Sequence, residues 1–490
     1  PKAERVNGNG RSHRHGDGLA RATGLNEPSR MSGKQSGLTF LTEQGNAERL
    51  IARHRGDTRY CPQLDKRLVW SGKRWIIDDT GIVIGMMKQE ARALWALLAD
   101  ADPTERRAIA AFATESERAS KIDAAIRLAQ SEPGVVVTPD EIDADPLIAG
   151  CPGGAIDFHN GGTFREAQRG DLITKFTAVD PSDAPCPIWD SVLNRSFAGN
   201  GELIAYVGRI FGLSLTGLAK IQELFIFWGS GANGKSLILE TILHIAGDYG
   251  AIAPDSLLTM RTFDEHPTEI MDLFGKRLIV ASETEQDSRL RVQLVKRLTG
   301  DGVLKGRLMR RDYTSFRRLF KLVLVTNNKP KISEQTNAIW RRVRLIPFNV
   351  VIPLNEQDPD LFEKLKPEWP AILGWCIRGF LDFQANGMRP PAEVVAATES
   401  YQNESDPLRD YLADRTIRGE SCKVSRNDLH NDYLSYCSAT GDKHPMTRNI
   451  LFERVRQQAG VGDGQWRPMG VSAPVRGFTG IGLAATGGGE

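Results

Sequence analysis

The sequence predicts an α/β protein, and two observations carry that prediction. Three apolar runs, 224–228, 278–281 and 321–326, have the length and composition of buried strands. The first run passes through a glycine-rich segment into the helical run 237–245, and the other two end in carboxylate or amide side chains. Because α/β sheets bind ligands beyond the ends of their strands, we expect the functional site at these strand ends.

The segment after the first strand matches the pattern G-x-x-x-x-G-K-[ST], in the strand–loop–helix context that this pattern requires. Its glycines let successive N–H groups converge on phosphate oxygens at the positive end of the helix. We expect Lys235 to reach the β- and γ-phosphates and the Ser236 hydroxyl to ligate Mg²⁺. The alternative, a glycine-rich turn with a chance lysine, does not explain both flanks. The sequence therefore predicts a nucleoside triphosphate site formed by Gly229, Ser230, Gly231, Ala232, Asn233, Gly234, Lys235 and Ser236.

Composition argues against several classes of protein but does not identify one. A chain of 490 residues has room for about three domains. The net charge of +2 is uninformative, because nucleic-acid binding needs a local basic surface. The six cysteines are scattered without a C-x-x-C pair, which argues against a zinc site or a disulfide framework. With no apolar run of about 18 residues and no signal peptide, we expect a soluble, cytoplasmic protein without a membrane partner.

Four segments are predicted along the chain. Residues 1–37 form a disordered basic tail, more plausibly a solvated leader than a nucleic-acid contact. Residues 38–188 form an α+β domain, 189–395 the nucleotide-binding core with a helical neck, and 400–485 a C-terminal domain. In the first domain, Asp157 and His159 are the only candidates for a synthetic centre, and a turn aspartate with a surface histidine explains them better.

Carboxylates follow the second strand. One of Glu283 and Glu285 is expected to hold Mg²⁺ through water and to polarise the attacking water. Glu283 is preferred because it lies closer to the strand, so the predicted metal site comprises Ser236 and Glu283. The alternative is a solvated acidic loop.

An amide and two arginines complete the predicted site. Asn327 follows the third strand and is expected to orient water or sense the γ-phosphate, whereas Asn328 begins a turn. Arg341 and Arg342 precede a further strand, where one of them could neutralise transition-state charge from a neighbouring subunit. A plain surface pair is the alternative. Because the chain carries one set of these motifs, the arginine is expected from another copy, which indicates a ring.

In this order the motifs resemble those of the superfamily 3 helicases, specifically the phage, plasmid and poxvirus-type primase-helicases. The resemblance implies an AAA+-like P-loop core, a hexamer, hydrolysis of ATP with Mg²⁺, and translocation on DNA. It implies the host-cell cytoplasm if the protein is phage-encoded. Members often carry an upstream primase domain, and we do not expect primase activity from this sequence, so priming would reside on a separate primase or polymerase. The matching segments are 45–49, 68–70, 152–157, 229–236, 278–285, 298–301, 321–330 and 340–348.

The resemblance also implies a DNA-contact hairpin at 303–316, with two strands around 312–314. Basic side chains would contact phosphates in a central channel, and Tyr313 would stack on bases regardless of their identity. The alternative is a solvated basic hairpin. The basic side chains are Lys305, Arg307, Arg310 and Arg311.

The C-terminal segment from about Pro407 is predicted as helix, strand, helix, helix and hairpin, with a capping box at 425–428. In the second of the paired helices we expect Ile450, Leu451 and Val455 to face inward. This order resembles the winged helix that such helicases append. Whether it contacts DNA or a protein stays open, because the fold serves both.

The sequence therefore predicts an ATP-dependent, ring-forming replicative DNA helicase of a phage or mobile genetic element. One alternative is a replication initiator or loader whose ATPase only switches its assembly state. Strand displacement by the protein alone would separate these two. A second alternative is a non-processive NTPase acting on RNA, which stimulation by single-stranded DNA or RNA would distinguish.

Overall fold

The computed structural model describes residues 40–254, 257–259, 267–283, 288–307, 313–332, 334–440, 445–467 and 473–484. The chain divides into two compact units. The helical unit comprises Val83–Glu132 and the described part of Pro1–Arg53, and the main unit comprises His54–Ile82 and the described part of Pro133–Glu490. Glu285, Arg310, Arg311 and the predicted basic tail lie outside the described residues.

The helical unit follows from an alanine-rich stretch with helical periodicity. Thr42 is the N-cap of the first helix, because its hydroxyl accepts a hydrogen bond from the Gly45 amide at 3.0 Å. Small side chains such as Ala91 and Ala113 are fully buried, which lets helices pack closely. The helices are α1 Glu43–His54, α2 Ile82–Ala93, α3 Arg106–Ser116 and α4 Ala119–Ala129.

The main unit begins with two small antiparallel sheets. Asp157 is a turn residue, since its carboxylate accepts a hydrogen bond from the His159 amide at 3.0 Å. Trp75 is fully buried and donates its indole N–H to the Arg169 carbonyl at 2.9 Å. The first sheet contains β1 Thr58–Cys61, β2 Lys66–Trp70 and β3 Trp75–Ile77, and the second contains β4 Ile148–Cys151, β5 Gly154–Asp157 and β6 Thr163–Arg165.

A five-stranded parallel sheet forms the centre of the main unit, so the expected α/β class is correct. Its strands in chain order are β7 Leu224–Trp228, β8 Gly250–Ile252, β9 Leu278–Glu283, β12 Lys321–Thr326 and β13 Val343–Pro347. They lie in the order β13-β7-β12-β9-β8. β7, the first of these five strands in chain order, is therefore flanked by the last two, β12 and β13. This makes the end of β7 a topological switch point, where open α/β sheets bind ligands. Helices between the strands are α7 Lys235–Ala246, α8 Pro267–Met271, α9 Val292–Gly300 and α10 Asn337–Trp340.

A hairpin, β10 Val303–Arg307 with β11 Tyr313–Arg317, lies between β9 and β12 in the chain. The expected position of its turn, 312–314, is wrong, because Tyr313 and Thr314 belong to the second strand. The register is fixed by Leu304 opposite Phe316, which are 2% and 1% exposed. A shift of the register by one residue would move these apolar side chains to the solvent face.

Helix α6 Gly201–Leu215 follows α5 Pro187–Ser196 and is apolar around its circumference. It packs on α12 Trp369–Asn386 through glycines at which the two backbones touch. A Cβ on Gly212 would lie 2.3 Å from the Cys376 carbonyl oxygen, and one on Gly379 would lie 2.1 Å from the Gly208 carbonyl oxygen. This contact therefore requires glycine, which has no side chain, at positions 212 and 379.

The C-terminal segment has the predicted order of helix, strand, helix, helix and hairpin. The Ser425 hydroxyl accepts a hydrogen bond from the Asp428 amide at 3.0 Å, as the capping box requires. The inward position expected for Ile450 is wrong: its side chain is 48% exposed, and Phe452 joins Leu451 and Val455 in the core. The elements of this segment are α14 Pro407–Arg415, β14 Thr416–Ser425, α15 Arg426–Thr440, α16 Arg448–Arg456, β15 Gly462–Trp466 and β16 Val475–Leu483. Helices α11 Leu361–Leu365 and α13 Ala392–Glu404 precede it. None of the helices in the described ranges has the length and apolarity needed to cross a membrane.

The α6–α12 contact yields a stability prediction. Gly212→Ala should lower the free energy of unfolding by about 1–3 kcal/mol, because the added methyl group must separate two backbones. Gly201→Ala in the same helix is the matched control, since nothing lies within 4 Å of its Cβ position. Urea unfolding measures both free energies. Equal values for the two variants would contradict the close contact.

Candidate functional site

The glycine-rich loop joins the end of β7 to the start of α7, and its conformation requires its glycines. Gly231 and Gly234 have φ of +104° and +82°, which favour glycine. A Cβ on Gly229 would lie 2.4 Å from the Asn233 amide nitrogen and 2.5 Å from the Phe348 carbonyl oxygen. The loop therefore curls tightly over the end of its own strand.

Lys235 is the first residue of α7, and its side chain turns back into this loop. Its ammonium donates to the Gly229 carbonyl at 3.0 Å and to the Asn327 side-chain oxygen at 2.9 Å. The residue is 3% exposed, and burial lowers the pKa of its ammonium. No carboxylate within the described ranges pairs with it. The loop thus offers an incompletely neutralised cation and the positive end of a helix to an anion.

The carboxyl ends of the strands β7, β12 and β9 lie at the same level beside the loop. Trp228, Thr326 and Glu283 are aligned across β7, β12 and β9. The structure therefore brings the backbone of Glu283 to the same edge of the sheet as Lys235, while the Glu283 side chain lies outside the described residues. The Ser236 hydroxyl is on an exposed residue in the first turn of α7.

The two candidate asparagines differ in their contacts. Asn327 presents its side-chain oxygen to Lys235, and its carbonyl accepts from the Trp228 indole at 3.1 Å. Asn328 instead uses its backbone, since its amide donates to the Thr326 hydroxyl at 3.1 Å. Asn328 is the turn residue that the sequence suggested, and Asn327 is the one whose side chain meets the loop.

Lys329 holds the tip of this strand in place. Its ammonium lies 2.7 Å from the Glu404 carboxylate and 4.4 Å from the centre of the Trp228 ring. Such ion-pair and cation–π contacts restrain the segment that carries Asn327. Neither the sequence motifs nor their spacing indicated this contribution from α13.

The two adjacent arginines have different surroundings. Arg342 is 7% exposed, and its guanidinium donates to the Ala338 carbonyl and to the Gln222 side chain. Burial, together with the neighbouring Arg341, lowers its pKa. Arg341 is exposed, has no side-chain hydrogen bond or ion pair in the part of the chain that the structure describes, and borders an open groove of about 470 Å³.

The hairpin has one buried and one exposed face. Leu304 and Phe316 are buried, so the alternating side chains point to solvent. The Arg307 guanidinium lies 5.4 Å from the centre of the Tyr313 ring, and Tyr313 is 60% exposed. Arg317 on this face was not predicted from the sequence, because the expected hairpin ends at residue 316. The exposed face comprises Val303, Lys305, Arg307, Tyr313, Ser315 and Arg317.

The candidate site thus combines the loop, a buried ammonium, an exposed hydroxyl and a strand-end amide at one edge of the sheet. In the described ranges, no group of three or more His, Cys, Asp or Glu side chains is placed to hold a metal ion. The predicted pair Ser236 and Glu283 is not such a group, and it stays a prediction.

Comparison with known proteins identifies a family and several viral relatives. Residues 47–198 match the family model described as "D5 N terminal like". A provisionally named helicase of Acanthamoeba polyphaga mimivirus is 24% identical over 318 residues, covering 59% of this chain and 33% of that protein. A provisionally named helicase of Invertebrate iridescent virus 3 is 26% identical over 361 residues, covering 65% of this chain and 38% of that protein. A provisionally named primase of African swine fever virus is 24% identical over 276 residues, covering 51% and 28%.

The chain therefore spans about two fifths or less of the length of these relatives. Among solved structures, the C-terminal region of NrS-1 in an apo form is 11% identical, covering 89% of this chain and 99% of that chain with a TM-score of 0.46. At this TM-score the likeness carries no weight for fold or function. The D5-type segment and the viral helicase and primase relatives support the expected resemblance to the superfamily 3 primase-helicases of the D5 type.

Proposed function

We propose that the chain is an ATP-dependent, ring-forming replicative DNA helicase of a phage or other mobile genetic element. In this proposal, hydrolysis of Mg·ATP drives translocation along a single strand and unwinding of the duplex. The observation that carries it is the 2.9 Å hydrogen bond from Lys235 to Asn327. This bond joins the glycine-rich loop to the neighbouring strand end at the switch point of the sheet. Its position supports a site for the phosphates of ATP.

Each loop and strand-end residue then has a chemical role. Lys235 exchanges its two neutral acceptors for the β- and γ-phosphates, and the amides at the start of α7 bind further phosphate oxygens. Asn327, released from Lys235, contacts the γ-phosphate or the attacking water. Glu283, or Glu285 beyond it, accepts the proton of that water. Ser236 and Glu283 would hold Mg²⁺, which would neutralise charge on the phosphate oxygens.

Adjacent asparagines allow a matched test of this arrangement. Asn327→Ala should reduce kcat about 100-fold or more, as loss of a transition-state hydrogen-bond donor does elsewhere, with little change in ATP affinity. Asn328→Ala should leave kcat unchanged, because its backbone supplies its contacts. Lys235→Ala should abolish hydrolysis. Steady-state ATPase assays and equilibrium ATP binding measure these effects. Loss of activity in Asn328→Ala alone would contradict the assignment.

Arg341 is the arginine whose surroundings support action across a subunit boundary. Arg342 is buried and bonded within its own chain, so extending to a neighbour would break those contacts. Arg341 is exposed beside an open groove, as a residue that enters a neighbouring ATP site must be. We therefore propose Arg341 as the arginine finger and Arg342 as its structural support.

Mixed rings test this assignment. Arg341→Ala should bind ATP and assemble, but hydrolyse it slower by on the order of 10³–10⁵. Mixing it with Lys235→Ala protein should restore part of the ATPase activity, because some interfaces then pair an intact loop with an intact finger. Arg342→Ala is the comparison variant and should lower the unfolding temperature instead. Absence of recovery in oligomers shown to contain both variants would exclude action in trans.

The exposed face of the hairpin is the proposed DNA contact. Lys305 and Arg317 have no ion-pair partner among the residues that the structure describes, so their charges are available to phosphates. Tyr313, held beside Arg307, presents its ring to solvent and could stack on any base. Arg317 extends the basic face from the tip towards the base of the hairpin. Arg310 and Arg311 stay predictions for the tip.

Salt dependence separates phosphate contacts from other effects. Lys305→Ala and Arg317→Ala should each weaken binding to single-stranded DNA and reduce the slope of log K against log salt by about 0.7. Ser315→Ala, on the same face but uncharged, should change neither quantity. Fluorescence anisotropy titrations at several salt concentrations provide the slopes. Unchanged slopes in both charge variants would rule out this face as the DNA contact.

We further propose that residues 38–188 form a helicase-associated domain, 189–395 the AAA+-like ATPase core and 400–485 a winged-helix domain. The support for the last is the observed order of its elements and its separate apolar core. Three of its arginines form ion pairs within the segment: Arg454 pairs with Asp406 at 2.6 Å, and Arg426 and Arg456 both pair with Asp463 at 2.8 Å. This pairing favours a protein contact over a phosphate contact for α16.

A further inference from the structure

The order of the strands determines which way a nucleotide would lie in the loop. This inference rests on the proposed ATP site. Asn327 follows β12 and Glu283 ends β9, both on one side of β7, and the γ-phosphate must face them. The ribose and base form the opposite end of the molecule. They must therefore extend towards the other neighbour of β7, which is β13.

The chain that leaves β13 passes directly over this side of the loop. The Phe348 amide donates to the Trp228 carbonyl at 2.7 Å, and the Phe348 carbonyl accepts from the Asn233 side chain at 3.2 Å. Four residues later, the Ile352 amide donates to the Ala232 carbonyl at 2.7 Å. Ala232 has a φ of +48°, so this bond helps to hold a loop residue in a conformation that non-glycine residues rarely adopt.

This segment exposes apolar side chains where the base would lie. Val351 is 60% exposed, and Leu354 is 84% exposed, the highest value among the exposed large apolar residues in the described ranges. The segment is nonetheless ordered by its own contacts. The Gln357 side chain donates to the Ile352 carbonyl at 2.8 Å, and Glu356 pairs with Arg195. A preformed apolar surface next to a phosphate-binding loop is the usual form of a ligand site.

We propose that Val351 and Leu354 form an apolar platform for the base of the bound nucleoside triphosphate. Contact with aliphatic side chains covers the face of a base but offers no hydrogen-bonding group to its edge. The platform therefore increases affinity without selecting among bases, and GTP, CTP and UTP should bind about as well as ATP. In this proposal the loop binds the phosphates, and residues 351–354 contact the base without distinguishing its identity.

Two probes separate the platform from the loop. The first is the non-hydrolysable ATP analogue AMP-PNP, which carries a base, and the second is inorganic tripolyphosphate, which lacks one. Leu354→Asn should weaken AMP-PNP binding about tenfold, through loss of apolar contact, and leave tripolyphosphate binding unchanged. Ile252→Asn is the control, because Ile252 is 74% exposed on β8, at the far edge of the same sheet. It should change the affinity for neither probe.

Calorimetric titration of both probes, with light scattering to report the oligomeric mass, gives distinct outcomes. Unchanged AMP-PNP affinity in Leu354→Asn, or equal weakening of both probes, would overturn the platform and leave the proposed phosphate site intact. A fall in oligomeric mass with unchanged AMP-PNP affinity would overturn it in favour of a second copy covering the patch. If the unsubstituted chain binds neither probe, the proposed function fails as well.

Discussion

Burial of the Lys235 ammonium is the constraint on which the arrangement of the site depends. An ammonium group removed from water must find oxygen partners, and the two that the structure supplies are the Gly229 carbonyl and the Asn327 amide oxygen. Both are neutral, and burial lowers the pKa of the group. The loop, β7 and β12 are thereby held together around a cation that lacks a counter-ion among the described residues. An arriving polyphosphate would supply that counter-ion.

Two further buried cations lie at the amino ends of the strands, on the side of the sheet opposite to the loop. Lys321, the first residue of β12, donates to the Thr216 carbonyl, and Arg277, just before β9, donates to the Leu215 carbonyl at 2.6 Å. These carbonyls end helix α6, where the helix dipole favours positive charge. Burial, with Arg277 and Arg318 nearby, lowers the pKa of Lys321. Lys321 and Arg277 thus have backbone carbonyl partners at the end of a helix, whereas Lys235 lies at the start of one, where an anion is favoured.

Local patterns predicted the elements of the core well. The three apolar runs became adjacent parallel strands, and the loop lies between a strand and a helix as its pattern requires. The pattern of residues 224–236 is specific because the loop, its strand and its helix are encoded within one short segment. The C-terminal order of elements was likewise readable, because turn and capping residues separate its helices and strands.

Tertiary contacts decided what the sequence left open. Sequence could not separate Arg341 from Arg342, because only the fold buries one of two identical neighbours. The hairpin turn was misplaced because burial of Leu304 and Phe316, rather than local turn chemistry, sets the register. Neither Arg317 nor the platform of Val351 and Leu354 belongs to a recognisable sequence motif. Their significance comes from the face and the strand end on which the fold places them.

Strand displacement from a forked DNA duplex tests the central claim most directly. The purified chain alone should release the labelled strand in the presence of ATP and Mg²⁺, and it should fail to do so with AMP-PNP. That result would require hydrolysis to be coupled to movement along DNA. ATP hydrolysis stimulated by single-stranded DNA, without release of the strand, would contradict the helicase account and favour an initiator or loader.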